Sequence, residues 1–147
     1  MVLTNTLEGG KFRCVKMGTE IKKIEINENM KKMINESLIM ALATVNKNRE
    51  PHNIAIGFAQ VISKNQLLIS DNWINESIEN IKSNQNVALA VWNKDWKKAC
   101  VGYEFKGKAE YFTSGKWIGE IKKLPINKGE PCKGAILVTI NKIKLLN

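Results

Sequence analysis

Hydrophobic residues along this chain occur in short runs that are separated by polar turns. The run IMALATV at 39–45 is followed by a polar turn, after which Pro51 opens a longer run with partial alternation. Runs of this length between turns predict β-strands. We predict six of them, at 39–45, 52–63, 66–70, 87–92, 100–112 and 135–146. Their close spacing is typical of an antiparallel meander that forms a closed or split β-barrel.

Apolar residues at helical spacing predict three short helices. We place them at 28–37, at about 74–83 and from Thr113 or Ser114, either of which can cap the third helix, to about Lys122. Asn27 can cap the first helix because its side-chain oxygen can accept an orphan backbone N–H. The Leu124-Pro125 pair ends the third helix, since the residue before proline disfavours helical geometry.

The first 25 residues carry few apolar positions and read as an N-terminal extension. Segments 11–16 and 20–25 can form a small hairpin around Met17, Gly18 and Thr19. The chain has 147 residues, which fits one domain. We therefore predict a single domain over 1–147 in which 1–25 is a β-hairpin extension.

Composition narrows the function classes. The net charge is +9, but the lysines are spread as isolated pairs, a pattern typical of a solvated surface, so nucleic-acid binding is not expected. Three distant cysteines with no CxxC pair argue against a disulfide framework and a metal centre. No apolar run reaches the about 18 residues that span a membrane, and no secretory signal is evident. We expect a cytoplasmic protein without a membrane segment.

One stretch, 67–92, combines a strand, a polar turn, a helix and a second strand. The turn Ser70-Asp71-Asn72 leads into the helix, whose first N–H groups have no partner within the helix and suit an anion such as a phosphate. On the predicted strand before it, 52–63, Ala55, Gly57 and Ala59 are small residues on one face. They let a flat group lie close to the backbone, or they mark a bend in a barrel.

Several motifs recur in one order along the chain. They are ALATV at 41–45, Pro51, the segment 61–70, SDN at 70–72, NI at 80–81, NVALAVW at 86–92 and GKAE at 107–110. In these motifs, over about 30–146, the sequence resembles the pyridoxamine 5′-phosphate oxidase-like, FMN-binding split-barrel family. The resemblance implies a mainly β (α+β) fold, a six-stranded antiparallel split β-barrel with short flanking helices, here with an N-terminal β-hairpin.

The resemblance also implies a cofactor and an assembly. Members are flavoproteins that hold FMN at a homodimer interface for hydride or electron transfer. Carried onto this chain, the flavin ring would lie along Asn53, Ile54, Ala55, Ile56 and Gly57. The phosphate would meet Ser70, Asp71, Asn72, Asn75 and Ser77, and the partner subunit would add Trp96.

Two departures from the family pattern bear on activity. Glu76 stands where relatives usually place a lysine or arginine for the phosphate, and Ile54 and Ala59 replace cations of the oxidases, so a true pyridoxamine 5′-phosphate oxidase is not expected. No catalytic residue is predicted, and the lone His52 reads as a surface or packing residue. The alternative is a non-catalytic split-barrel protein that holds a deazaflavin, a heme or no cofactor.

Overall fold

The structure, a computed structural model, describes residues 3–8, 11–15, 19–57 and 59–146. Its strands are β1 (Leu3–Glu8), β2 (Lys11–Val15), β3 (Thr19–Ile21), β4 (Met40–Val45), β5 (Pro51–Ile56), β6 (Ala59–Ser63), β7 (Gln66–Asp71), β8 (Asn86–Trp92), β9 (Gly102–Phe112) and β10 (Gly134–Leu146). The helices are α1 (Glu28–Ser37), α2 (Glu76–Ser83), α3 (Lys116–Lys123) and a 3-10 turn, Pro125–Asn127. Strands therefore dominate, as the sequence predicted.

An eight-stranded antiparallel sheet forms the body of the protein. Its hydrogen-bonded order is β5-β4-β8-β9-β10-β7-β6, and β3 adds to β10. The split-barrel fold is thus confirmed, although the predicted strand count of six is too low. The predicted strand 52–63 is two strands, β5 and β6, which lie at opposite ends of the sheet order. The chain crosses between these ends near Gly57, where an added Cβ would lie 3.4 Å from the Leu38 carbonyl oxygen.

The longest strand, β10, joins the two halves of the sheet. It pairs with β9 along nearly its whole length, with β7 through 134–139 and with β3 through 143–145. Both faces of β7 and of the first half of β10 are covered. Alternate residues face the barrel interior or α3, which explains why these strands read as continuous apolar runs.

The N-terminal hairpin has a different pairing from the predicted one. We expected 11–16 to pair with 20–25, but β2 pairs with β1 and β3 pairs with β10. Periodicity in the sequence cannot choose between pairing partners here, because β3 has only three residues and pairs with β10, which is distant along the chain. Met17 and Gly18, in the expected turn, lie outside the described residues. The division into one domain with an extension over 1–25 stays a prediction.

Of the two predicted helix caps, the one on α1 is confirmed and the one on α3 is wrong. Asn27 caps α1 as expected, since its Oδ1 accepts the Met30 N–H at 3.0 Å. The cap predicted at Thr113 or Ser114 is wrong: α3 begins after Gly115, whose φ of 84° is a conformation that glycine adopts without strain. Helix α2 begins at Glu76, two residues later than predicted, because Asp71 holds the preceding segment in a turn.

The buried carboxylate of Asp71 fixes the connection from β7 to α2. Its Oδ1 accepts the Ile74 N–H at 3.0 Å, its Oδ2 accepts the Tyr111 hydroxyl at 2.7 Å, and Lys133 Nζ lies 3.7 Å from Oδ1. An aspartate oxygen that accepts the backbone N–H three residues on holds the chain in the way that a helix N-cap residue does. Burial, and then the bond to Asp71, raises the pKa of Tyr111 to about 12.

We expect Tyr111→Phe to lower the free energy of unfolding by about 1–3 kcal/mol, because a buried carboxylate oxygen loses its donor. The folded pKa lies above the ordinary value of 10.0, so this tyrosine's stabilisation is complete below about pH 10 and is lost as the pH rises toward 12. Tyr111→Phe has no hydroxyl to ionise at this position, so its stability should not show this part of the decrease between pH 10 and 12. Urea unfolding across this window measures it.

Ultraviolet titration of phenolate provides the control for this prediction. The wild-type signal minus that of Tyr111→Phe isolates Tyr111 from the other tyrosine, Tyr103. A difference curve with its midpoint at 10 would contradict the buried bond to Asp71.

A second prediction concerns Gly107, which lies opposite a register shift between Ile140 and Lys142. An added Cβ there would lie 2.1 Å from the Thr139 carbonyl oxygen, so Gly107→Ala should destabilise the fold by about 2 kcal/mol or more. The matched control is Gly119→Ala in α3, where nothing lies within 4 Å of the new Cβ.

That control should stabilise the protein by about 0.5–1 kcal/mol, because alanine restricts the unfolded chain more than glycine does. Thermal or urea unfolding of both variants should therefore give shifts of opposite sign. Equal shifts would show that the contact with β10 does not decide the outcome.

Candidate functional site

A groove of about 310 Å³ lies between β5 and the turn that leads from β7 into α2. It is lined by His52, Ile54, Ala55, Ile56, Gly57, Ser70, Asn72, Trp73, Ile74, Asn75, Glu76 and Ser77. The fold therefore brings together most of the residues that the sequence singled out from two separate segments. Of the predicted set, only Asn53, Asp71 and Trp96 do not line it.

One wall of the groove is an edge strand. Among the described strands β5 pairs with β4 alone, so the backbone groups along its other side are open to a ligand. Side chains alternate along it: Ile54 and Ile56 are turned inward, whereas Asn53 and Ala55 are exposed. The wall is apolar and shallow, which suits a flat ring that lies against the strand.

The opposite wall is braced by amides and a hydroxyl. Ser70 Oγ donates to Asn72 Oδ1 at 3.1 Å, and this same oxygen accepts the Cys132 N–H at 3.0 Å. The Asn72 amide nitrogen donates to Asn127 Oδ1 at 3.3 Å. Because the hydrogen-bonding groups of Asn72 are engaged inside the protein, this residue shapes the wall. Asp71 has the same structural role, through its bonds to Tyr111 and Ile74.

Ser77 differs from its neighbours in the groove. Its side chain is 0% exposed, and within the described ranges its Oγ is the one buried side-chain nitrogen or oxygen without a hydrogen-bond partner. It lies in the first turn of α2, where the preceding Asn75 makes no capping bond through its side chain. A buried hydroxyl without a partner costs about 1–3 kcal/mol. The position therefore fits a ligand that offers a hydrogen-bond acceptor.

A contact between His52 and Glu76 joins the two walls. The His52 Nδ1 atom lies 3.4 Å from Glu76 Oε1. Sequence reasoning found no carboxylate partner for this histidine, because the pair is created by the packing of β5 against the start of α2 and has no local signal. Trp73 was also missed. It is 75% exposed on the rim, and its place directly after the SDN motif was the available clue.

Trp96 lies away from the groove, in the loop between β8 and β9. This loop is closed by a bond from the Asn93 N–H to the Val101 carbonyl at 2.9 Å, and Trp92 and Trp96 are each about two-fifths exposed. Within one chain, Trp96 is therefore not part of the site.

A second, mostly apolar groove of about 350 Å³ adjoins the first across Gly57. Both share Ile56 and Gly57, and the second is rimmed by the exposed side chains of Leu38 and Ile126. The bend between β5 and β6 thus separates a groove with a polar end from an apolar one.

Two other kinds of feature, a membrane-spanning helix and a metal site, are missing from the part of the chain that the structure describes. It contains no helix long and apolar enough to cross a membrane. It also contains no group of three or more histidine, cysteine, aspartate or glutamate side chains placed to hold a metal ion.

Solved structures with this fold are known. HupZ of Group A Streptococcus superposes with a TM-score of 0.73 at 22% identity, over 80% of this chain and 91% of that one. An FMN-binding protein from Syntrophomonas wolfei gives a TM-score of 0.70 at 20% identity, over 80% and 83% of the two chains. At these identities the likeness concerns the fold.

Sequence comparison gives a closer relationship. An uncharacterized protein of Methanocaldococcus jannaschii, MJ0282, is 32% identical over 126 residues, which are 82% of this chain and 80% of that protein. The family model described as pyridoxamine 5′-phosphate oxidase matches residues 26–146, which include every strand of the large sheet except β3. The resemblance found in the sequence motifs is confirmed, and the chain belongs to the pyridoxamine 5′-phosphate oxidase family.

Proposed function

We propose that this protein is an FMN-binding flavoprotein that carries out hydride or electron transfer, with the flavin bound in the groove between β5 and α2. The proposal rests mainly on the buried hydroxyl of Ser77, which has no hydrogen-bond partner in the described residues. This hydroxyl lies at one end of a groove that is lined by most of the residues predicted to bind the cofactor. The family, whose members bind flavins, supports the proposal.

The groove's residues fit the two ends of a flavin. The isoalloxazine ring would lie on Ile54, Ala55 and Gly57, where an open strand edge offers backbone N–H and C=O groups to the ring's polar rim. The ribityl phosphate would extend toward Ser77 and the start of α2. Asn53 would support β5, Asn72 would support the turn before α2, and Asn75 would lie beside the ribityl phosphate.

A homodimer would complete the site. Leu38, Trp73 and Ile126 are large apolar side chains exposed around the two adjoining grooves, and together they form a surface that a second copy could cover. In that arrangement Trp96 of the partner subunit would reach the flavin. Covering the groove would also exclude water from the ring.

In such a complex the flavin supplies the redox chemistry, and the protein binds and orients it. That division agrees with the residues of the groove, among which His52 and Glu76 are the titratable ones. The absence of a lysine or arginine from this lining also supports the inference that the protein is not a true pyridoxamine 5′-phosphate oxidase, since Ile54 occupies a cation's place. We propose a cytoplasmic location.

A second candidate is a non-catalytic binding protein that holds a deazaflavin in the same groove. The observation in its favour is Glu76, whose carboxylate lies at the groove where a phosphate would be placed. The two candidates are distinguished by titrating the purified protein with FMN and with the deazaflavin, and by recording the absorption spectrum of the protein as isolated.

The primary test is spectroscopic. Purified protein should be yellow or should become so with FMN, release flavin on denaturation, and sediment as a dimer. Protein that stays colourless at saturating FMN would overturn the flavin assignment, and a monomer that retains FMN would overturn the interface alone.

Ser77→Ala tests the site directly. We expect FMN affinity to fall about threefold to tenfold, because one hydrogen bond contributes about 1 kcal/mol. Stability of the unliganded protein should stay equal or rise, since an unsatisfied buried hydroxyl is removed. Flavin fluorescence titration and urea unfolding measure the two quantities.

Ser83→Ala is the matched control. Ser83 lies at the other end of the same helix, and its hydroxyl donates to the Asn80 carbonyl at 3.0 Å. Its loss should leave FMN affinity unchanged. Equal effects of the two variants on affinity would remove Ser77 from the binding site.

A further inference from the structure

The charges around the groove do not match a doubly charged ligand. The whole chain has a net charge of +9, yet no lysine or arginine is among the described residues that line the groove. Its one formally charged carboxylate is Glu76, at the first position of α2. An anionic tail placed at Ser77 would therefore lie beside a negative charge, with no lysine or arginine among the described lining residues.

Lys133, which contacts the turn beside the groove, is already engaged. Lys133 Nζ lies 3.7 Å from Asp71 Oδ1 and donates to the Ile74 carbonyl at 3.4 Å. Its charge is opposed by that of the buried Asp71, so this pair adds little net charge to the corner. Lys133 thus stabilises the turn rather than providing a free cation for the groove.

The carboxylate of Glu76 also lies toward the groove, on a side chain that is 62% exposed. Its Oε1 lies 3.4 Å from the His52 Nδ1 atom on the opposite wall. The contact spans the groove from β5 to α2 and keeps the negative charge near the tail position. A glutamate that turned outward would have no such neighbour on β5.

We propose that Glu76 is a specificity-determining residue that sets the charge of the ligand's tail. The groove binds a flavin by its ring and ribityl chain, and its tail end favours a neutral or singly charged group over a phosphomonoester dianion. The ligand class is then a flavin whose phosphate adds no affinity, so that riboflavin binds at least as tightly as FMN. This inference rests on the proposed flavin function.

The experiment compares riboflavin and FMN binding to the full chain by fluorescence titration. Wild-type protein should bind riboflavin as tightly as FMN or more tightly. Glu76→Gln should raise FMN affinity about threefold to tenfold, because it removes a repulsion at short range, and should change riboflavin affinity less than about twofold. The ratio of the two affinities cancels any general effect of the substitution on the groove.

Glu79→Gln is the matched control. Glu79 lies one turn further along α2, carries the same charge, pairs with Lys82 and does not line the groove. It should leave the affinity ratio unchanged. An independent measurement is the salt dependence: a repelled phosphate gains affinity as added salt screens the charges, whereas an attracted phosphate loses it.

Three results would separate the possible failures. If FMN binds more than about tenfold tighter than riboflavin and Glu76→Gln leaves that ratio unchanged, the charge inference is wrong and a cation from the partner subunit holds the phosphate. If Glu79→Gln shifts the ratio as much as Glu76→Gln does, the effect is not local to the groove. If neither flavin binds, the proposed flavin function fails, and the charge inference fails with it.

Discussion

The groove depends on one buried carboxylate. Asp71 ends β7 inside the protein, and its two oxygens accept bonds from the Tyr111 hydroxyl and the Ile74 N–H. These bonds tie the sheet, through β9, to the turn that starts α2. The start of that helix and the buried hydroxyl of Ser77 are thereby held at a fixed place opposite β5. Asp71 lies in a motif that suggested ligand contact, but its atoms are engaged within the protein.

The sequence predicted the sheet well because its signals are local. Apolar runs bounded by turns predicted the ends of β4, β7, β8, β9 and β10 to within about two residues. Asn27 correctly predicted the start of α1. The single strand predicted at 52–63 is wrong, because it divides near Gly57 into β5 and β6, and the small residues there permit both a bend and a flat ligand. The pairings of β2 and β3 could not be read, since pairing between distant strands has no local pattern.

The sequence predicts most of the residues that line the groove, but not their contacts. Family motifs pointed to β5 and to the turn before α2, and the fold brings these segments to one groove. The contact between His52 and Glu76, the isolation of the Ser77 hydroxyl and the internal engagement of Asn72 depend on side-chain packing. Such facts decide which residues face a ligand and which support the wall, and they follow only from the three-dimensional arrangement.

The side of β5 that no other described strand covers has a consequence for self-association. An unpaired strand edge is a template on which another chain can add a strand, and proteins usually protect such edges with charge. β5, with the sequence PHNIAI, has Pro51 at its start but no lysine, arginine or acidic residue along it. A bound ring and a partner subunit would cover this edge. Without such cover the edge would stay open to a strand from another molecule.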